Sequence, residues 1–243
     1  MSYGSNGCNG DNRKVDSSSP VSVVGGRSFS AATGGNQFWC AIEGTTGRAY
    51  CWGGGGSGNL GNNLTSDQSS PVSVAGARSW KSITASGSSV WGIEASTGNV
   101  YAWGDNTYGT LGDNTTSGRS SPTSVVGGQS FKSLSVGLTT ATTLHVAAIE
   151  GSTGNIYCWG YNAYGQLGNG TALNQSSPVS VLGGRSYSAI AAQAGSGLGG
   201  TYAVEGSTGI IYSWGYCTNG ALGNNTDIYV GSPVSIGTVI PTF

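Results

Sequence analysis

The stretch Ile156-Tyr157-Cys158-Trp159-Gly160-Tyr161-Asn162-Ala163-Tyr164-Gly165-Gln166-Leu167-Gly168-Asn169-Gly170-Thr171, with Ser177-Pro178-Val179 downstream, is one of four copies of a single pattern. Each copy runs aromatic-x-Trp-Gly, then a Gly/Asn-rich loop holding Leu-Gly, then Ser-Pro and a Val-Ser-Val-like strand, then a Gly-x-Arg/Gln-Ser-aromatic step. The anchoring residues Trp52, Trp103, Trp159 and Trp214 lie 51, 56 and 55 residues apart, and Pro71, Pro122, Pro178 and Pro233 each follow their Trp by 19. A fixed period of this size marks an array of supersecondary units that stack to bury a continuous core. One loop per unit absorbs the length variation: Phe29 to Glu43 and Trp80 to Glu94 are 14 residues, but Phe131 to Glu150 is 19 and Tyr187 to Glu205 is 18.

A fifth, degenerate copy opens the chain, with Tyr3-Gly4 in place of Trp-Gly and Ser19-Pro20-Val21 in place of the Ser-Pro step. The expected organisation is one domain over residues 1–243. It holds a partial unit at 1–24, full units at about 25–75, 76–126, 127–182 and 183–236, and a closing tail at 237–243.

Within a unit, Arg27 to Ala32 and Phe38 to Glu43 read as two short strands, Gly44-Thr45-Thr46-Gly47 as a turn, and Arg48 to Trp52 as a third, aromatic strand. Val21-Ser22-Val23, or its equivalent Val72-Ser73-Val74, is the fourth, and a proline at its mouth suits a sheet edge, where a missing N–H costs no ladder bond. No amphipathic helix pattern occurs. Four short antiparallel strands per unit give an all-β repeat, and blades around an axis bury such sheets on both faces.

The Trp159 copy quoted above, together with His145-Val146-Ala147-Ala148-Ile149, resembles the repeat of the regulator of chromosome condensation family of β-propellers. The resemblance implies a propeller of stacked blades, commonly seven, in a family that includes a guanine-nucleotide exchange factor for a small GTPase and chromatin binders. Here the family's strand His survives only at His145, with Phe38, Ser89 and Gly200 at the equivalent positions, and no unit carries a long wedge-like insertion. Seven units would need about 360 residues at the observed period, against 243 present. The expectation is therefore a β-propeller of four complete four-stranded blades plus one split blade in a five-bladed ring. In that ring Ser2-Tyr3, Val21 to Val23 and the tail Gly237 to Phe243 share a sheet. The alternative is an open arc completed by a partner or a second copy.

Composition narrows function. Only 8% of residues are charged, the net charge is -1 and 45 residues are Gly. With no basic stripe, the electrostatic footprint of a nucleic-acid binder is missing. No apolar run approaches the roughly 20 residues of a membrane span, and the opening Met-Ser-Tyr-Gly has no signal-peptide regions.

No catalytic set or cofactor motif emerges. Cys8, Cys40, Cys51, Cys158 and Cys217 contain no Cys-x-x-Cys, the lone His145 has no spaced metal partner and reads as a packed core residue, and no phosphate loop is present. The expectation is thus a protein that is not an enzyme, with no cofactor and no metal. Asp105-Asn106 and Asp113-Asn114 read as Asx-type turns rather than calcium ligands. Glu43, Glu94, Glu150 and Glu205 recur before the hairpin turns and read as polar ends paired with Arg27, Arg78 or Arg185. Cys40 and Cys51 fall opposite each other across a hairpin; directly opposed Cβ atoms about 4.5 to 5.5 Å apart favour two packed thiols over a bond.

The binding candidates lie on the long Trp-Gly to Ser-Pro loops: Tyr108, Tyr161, Tyr164, Tyr216 and Tyr229, with Asn106 and Asn162 among them. The variable loops Thr139 to Thr143 and Gly195 to Gly200 are expected to open on the same side. Loops on a rigid scaffold are where binding resides, and Tyr with Asn and Ser makes adaptable contact surfaces; the competing reading packs these tyrosines between blades. The first functional expectation is a structural or adhesive module on a virion or extracellular particle surface, binding protein or glycan through this face, with self-association open. The alternatives are a cytoplasmic interaction propeller regulating a small GTPase, and a glycan-binding lectin.

Overall fold

The computed structural model describes residues 6–138, 143–193, 199–216, 220–224 and 228–236, and in them every regular element is a strand. The first sheet comprises β1 (Phe29–Gly34), β2 (Phe38–Glu43), β3 (Ala49–Gly53) and β4 (Gln68–Ser73), and the second β5 (Trp80–Ser86), β6 (Ser89–Glu94), β7 (Val100–Gly104) and β8 (Arg119–Ser124). The third holds β9 (Phe131–Leu138), β10 (Leu144–Glu150), β11 (Ile156–Gly160) and β12 (Gln175–Ser180), and the fourth β13 (Tyr187–Ala192), β14 (Gly200–Glu205), β15 (Ile211–Gly215) and β16 (Val230–Ser235). All four sheets are antiparallel meanders in chain order. This is the blade of a propeller.

Cores lie between blades rather than within them. Phe38, Cys40 and Ile42 of the first blade pack on Trp80, Val90 and Trp103 of the second. Trp91, Ile93 and Leu111 meet Phe131, Val146 and Trp159 in the next interface, and Ile149, Cys158 and Leu167 meet Tyr187, Tyr212 and Trp214 in the third. The first strands neighbour one another along the inner side of the array. No comparable packing links the described strands of the fourth sheet back to the first.

The repeated tryptophan explains why the period is so strict. Each indole N–H donates to a loop carbonyl of the preceding unit: Trp52 to Cys8 at 3.1 Å, Trp103 to Asn59 at 3.0 Å, Trp159 to Thr110 at 2.8 Å and Trp214 to Gln166 at 2.9 Å. The glycine two residues after each acceptor must be glycine, because a Cβ on Gly10, Gly61, Gly112 or Gly168 would stand 2.7 to 2.9 Å from that indole nitrogen. A second tie runs from Asn12, Asn63, Asn114 and Gly170, whose N–H groups each donate at 2.8 Å to the outer strand of the following blade. Cys8 to Gly10 occupy the same place before the first blade, so residues 6–24 do the work of a unit's loop.

Three details correct the sequence reading. Val21 to Val23 are not a strand; no described third strand lies beside them to supply a ladder. The outer strands begin three residues before their proline, not at it. Ser69, Ser70 and Pro71 lie between the pairs Cys51–Val72 and Gly53–Gln68, so the proline sits in a bulge of an edge strand, where no ladder bond is asked of it.

Cys40 and Cys51 form a disulfide, with Cα atoms 4.1 Å apart. Glu43 N donates to Arg48 O, and pairs alternate from there, so Cys40–Cys51 falls on a non-hydrogen-bonded position, where opposed strands approach closest. Among the described cysteines, Cys8 and Cys158 are free; Cys217 lies outside the described residues. The proposed sheet of Ser2-Tyr3 with the tail 237–243 lies outside them too.

The recurrent glutamates are hairpin clamps. Glu43 accepts from Arg27 at 2.7 Å and from Thr46 at 2.5 Å, and Arg27 stacks over Tyr50 at 3.9 Å. Glu94 repeats this with Arg78, Thr97 and Tyr101, and Glu205 with Arg185, Thr208 and Tyr212. Thr46 first and Arg27 second hold the Glu43 carboxyl below its ordinary range, as Thr97 and Arg78 do for Glu94. In the third unit Gln129 stands in place of the arginine, while Thr153 still donates to Glu150 and Tyr157 keeps the place of the tyrosine.

Candidate binding face

The loops after Trp103-Gly104 and Trp159-Gly160 are each built by a buried amide. Asn106 Oδ1 accepts from Leu111 N at 2.9 Å, while its Nδ2 donates to Asp113 and to the carbonyls of Thr115 and Ser117. Asn162 does the same with Leu167, Asn169, Thr171 and Leu173. Both side chains are sealed from solvent, so the two asparagines expected on the binding surface lie inside it, as scaffold. Their identical register, three residues after each Trp, was the signal in the sequence that they serve architecture.

Asp113 closes its loop through Thr115 N at 3.1 Å, an Asx turn, and through Arg119 at 2.6 Å. Burial works against its charge, but Thr115 and Arg119 outweigh this and keep the carboxyl below its usual range. Asp105 caps Thr107 in the same manner. No group of three His, Cys, Asp or Glu side chains able to hold a metal ion occurs among the described residues.

On this frame four tyrosines form a continuous ladder. Tyr108 meets Tyr161 edge-on with centroids 5.1 Å apart, Tyr161 meets Tyr164 at 6.4 Å, and Tyr164 meets Tyr216 at 5.4 Å. The rungs alternate between blades: the tyrosine five residues after one Trp touches the tyrosine two residues after the next. All four are half-buried, so the two readings of these residues meet: they bridge loops of adjacent blades and still present ring surface. Burial, then the neighbouring Tyr164 and Tyr108, raise the Tyr161 hydroxyl above its ordinary pKa. It is a neutral donor across the biological range.

Tyr229 stands apart, more exposed and in no ring contact with the ladder among the described residues. Between the first and second blades the corresponding positions are Ser57 and Asp105, and there the ladder gives way to a polar cavity of about 360 Å3. The loops at 139–142 and 194–198 lie outside the described residues.

His145 is on β10, sealed in the core, with Nε2 3.0 Å from Thr201 Oγ1 of the next blade. Thr201 in turn donates to the Gln166 carbonyl. Desolvation lowers the imidazole pKa to about 4. It is a packed, neutral tie between blades.

The model of the regulator of chromosome condensation (RCC1) repeat matches residues 46–90, 97–143 and 153–199, together more than half of the chain. Each match runs from the hairpin turn before the third strand of one blade into the next blade. The chain is 28% identical over 193 residues to the mouse E3 ubiquitin-protein ligase HERC2, covering 77% of this chain and 4% of that protein. It is 30% identical over 186 residues to the human probable E3 ubiquitin-protein ligase HERC4, covering 74% of this chain and 17% of that protein. The chain therefore spans a small part of the curated relatives it matches. Among solved structures it resembles human WBSCR16, with a TM-score of 0.74 at 19% identity, covering 96% of this chain and 61% of that one. Yeast RCC1 (Prp20), solved with Kap60 bound, follows with a TM-score of 0.69 at 18% identity, covering 90% and 51%.

Proposed function

Since the chain belongs to the regulator of chromosome condensation (RCC1) repeat family, we propose that it is a non-enzymatic interaction propeller that docks a partner protein on its long-loop face. The observation that carries this reading is the ladder Tyr108–Tyr161–Tyr164–Tyr216. Half-buried tyrosines held by neighbours lose little freedom on binding and offer both apolar area and a hydroxyl, the combination enriched in contact surfaces. A related yeast propeller was solved in a study of its binding to Gsp1p and histones. An intracellular regulatory partner, a small GTPase among the candidates, is the finer form of the proposal.

A second reading, the particle-surface or extracellular setting, is favoured by the Cys40–Cys51 disulfide, since such bonds persist in oxidising compartments. Capture assays with nucleotide-free small GTPases and with core histones as separate probes test the first reading. Saturable capture abolished by Tyr161→Ala supports it; no capture of either, or capture indifferent to Tyr161, sinks it.

A further inference from the structure

The tyrosine ladder ends at a change of chemistry. The offsets that hold Tyr108 with Tyr161, and Tyr164 with Tyr216, hold Ser57 with Asp105 between the first two blades. Two shorter side chains there leave the cavity of about 360 Å3, walled by Ser57, Thr65, Asp105 and Ser120 with glycines between them. Both walls are loops of the first and second units, so the cavity belongs to an interior blade junction and not to an uncovered sheet face.

Asp105 is the one charged side chain in that lining. Six carboxylates among the described residues pair with a Lys or Arg, whereas the Asp105 carboxylate accepts only from N and Oγ1 of Thr107. Arg119, next to the lining residue Gly118, is engaged by Asp113 at 2.6 Å, and Lys14 stands 3.9 Å from Asp67, which lines the neighbouring cavity. The socket therefore holds a carboxylate whose counter-charge the described residues do not supply. Along the ladder itself the chemistry is neutral. None of the four tyrosine hydroxyls has a hydrogen-bond partner among the described residues, and none is buried away from solvent, so each is a free donor beside an apolar ring. Successive ring centroids lie 5.1, 6.4 and 5.4 Å apart, close to the roughly 6.2 Å that two residues of polyproline II cover.

Resting on the ladder as the docking face, we propose that its occupant is a proline-rich segment in the polyproline II conformation, with a flanking arginine or lysine seated in the Asp105 cavity. Polyproline II leaves its backbone carbonyls without internal partners, so they accept from a row of hydroxyls while the pyrrolidine rings fill the spaces between aromatic rings. Such a segment is already extended and loses little freedom when it binds. The cation completes the fit at the ladder's end. An unpaired carboxylate in a half-enclosed site is answered by the opposite charge, which fixes direction and selects the partner more than it adds affinity. An acidic segment would bring like charges together at Asp105, and a neutral glycan would leave the carboxylate without a cation.

The test is calorimetric titration of the full chain with synthetic proline-rich peptides carrying an arginine at either end, a glutamate in its place, or an alanine in its place. Asp105→Asn, Asp105→Arg and Tyr161→Ala are titrated beside the parent. Asparagine keeps an acceptor for Thr107, so the loop cap survives the loss of charge. An arginine peptide is expected to bind saturably at about 1 to 100 μM. Its affinity should fall about tenfold in Asp105→Asn while that of the alanine peptide holds, and Asp105→Arg should transfer the preference to the glutamate peptide. Tyr161→Ala should weaken every peptide, with melting temperatures separating lost docking from lost fold. Absence of binding by every peptide up to about 1 mM overturns the proposal, as does equal affinity for the arginine and alanine peptides or an affinity indifferent to Asp105→Asn. If Tyr161-dependent capture of a small GTPase or of histones persists in those cases, the docking face stands without this occupant; if capture is absent as well, both readings fall.

Discussion

Trp159 Nε1 donates to the carbonyl of Thr110, 2.8 Å away in the preceding unit, and that same oxygen also accepts from Trp91 at 2.9 Å. Two indoles from neighbouring blades thus converge on one backbone atom, and Gly112 gives them room. A Cβ at Gly112 would stand 2.9 Å from the Trp159 nitrogen, at a φ of 72°. Gly112→Ala is expected to destabilise by about 2 kcal/mol or more, read as a lowered urea midpoint. Gly128→Ala, at a φ of 68° with open space around it, carries only the backbone penalty of about 1 kcal/mol. Equal effects would remove the packing account.

Surface and scaffold separate on the loop of the third blade. Tyr164→Ala is expected to lower partner capture about tenfold or more with a small change in stability. Asn162→Ala strands the buried Leu167 N–H, bonded at 2.9 Å in the native loop, at a cost of about 1 to 3 kcal/mol. Capture and urea unfolding measured on both variants check this; the reverse pattern would move the site elsewhere.

His145 sets an acid sensitivity. Its pKa falls from 6.5 to about 4 on folding, so between those values the unfolded chain binds a proton that the folded chain refuses. Stability therefore decreases as pH is lowered through 6.5 toward 4, by about 3 kcal/mol in all. Glu43, Glu94 and Asp113, whose folded pKa values are depressed, withdraw their support only at lower pH. Unfolding free energy followed from pH 7 to 4.5 should slope in the parent and flatten in His145→Gln. A slope that survives the substitution belongs to another group.

The Cys40–Cys51 bridge closes a separation of 11 residues, which in the chain-entropy picture is about 2 to 3 kcal/mol of stability. Alkylation without reductant should leave both cysteines unmodified. Cys158, sealed between blades, with burial raising its pKa, should react only after unfolding. Free labelling of Cys40 in the native protein would show the thiols open.

The Trp-to-Pro spacing made the blades legible, because a rigid interval of 19 residues reports a rigid local structure. Tyr108, Tyr161, Tyr164 and Tyr216 were legible as loop residues, but their ladder was not, since its two inter-blade contacts join different offsets in successive loops. Asn106 and Asn162 looked like ligands because polarity was weighed and register was not. The disulfide was missed by counting opposition without counting ladder parity from Glu43–Arg48. Trp39 is exposed although its register names an interior position, because no described strand precedes the first sheet to cover the face on which Val90 and Val146 are buried in the next two.

The four indole bonds all point backward along the chain, each donor lying 44, 44, 49 or 48 residues after its acceptor. The array consequently has a direction that matches protein synthesis, which releases N-terminal segments first. A newly emerged blade finds its receiving loop already made, and it extends the next one for a successor. Growth by addition of units is thereby ordered like laying courses of brick, each course keyed to the one below.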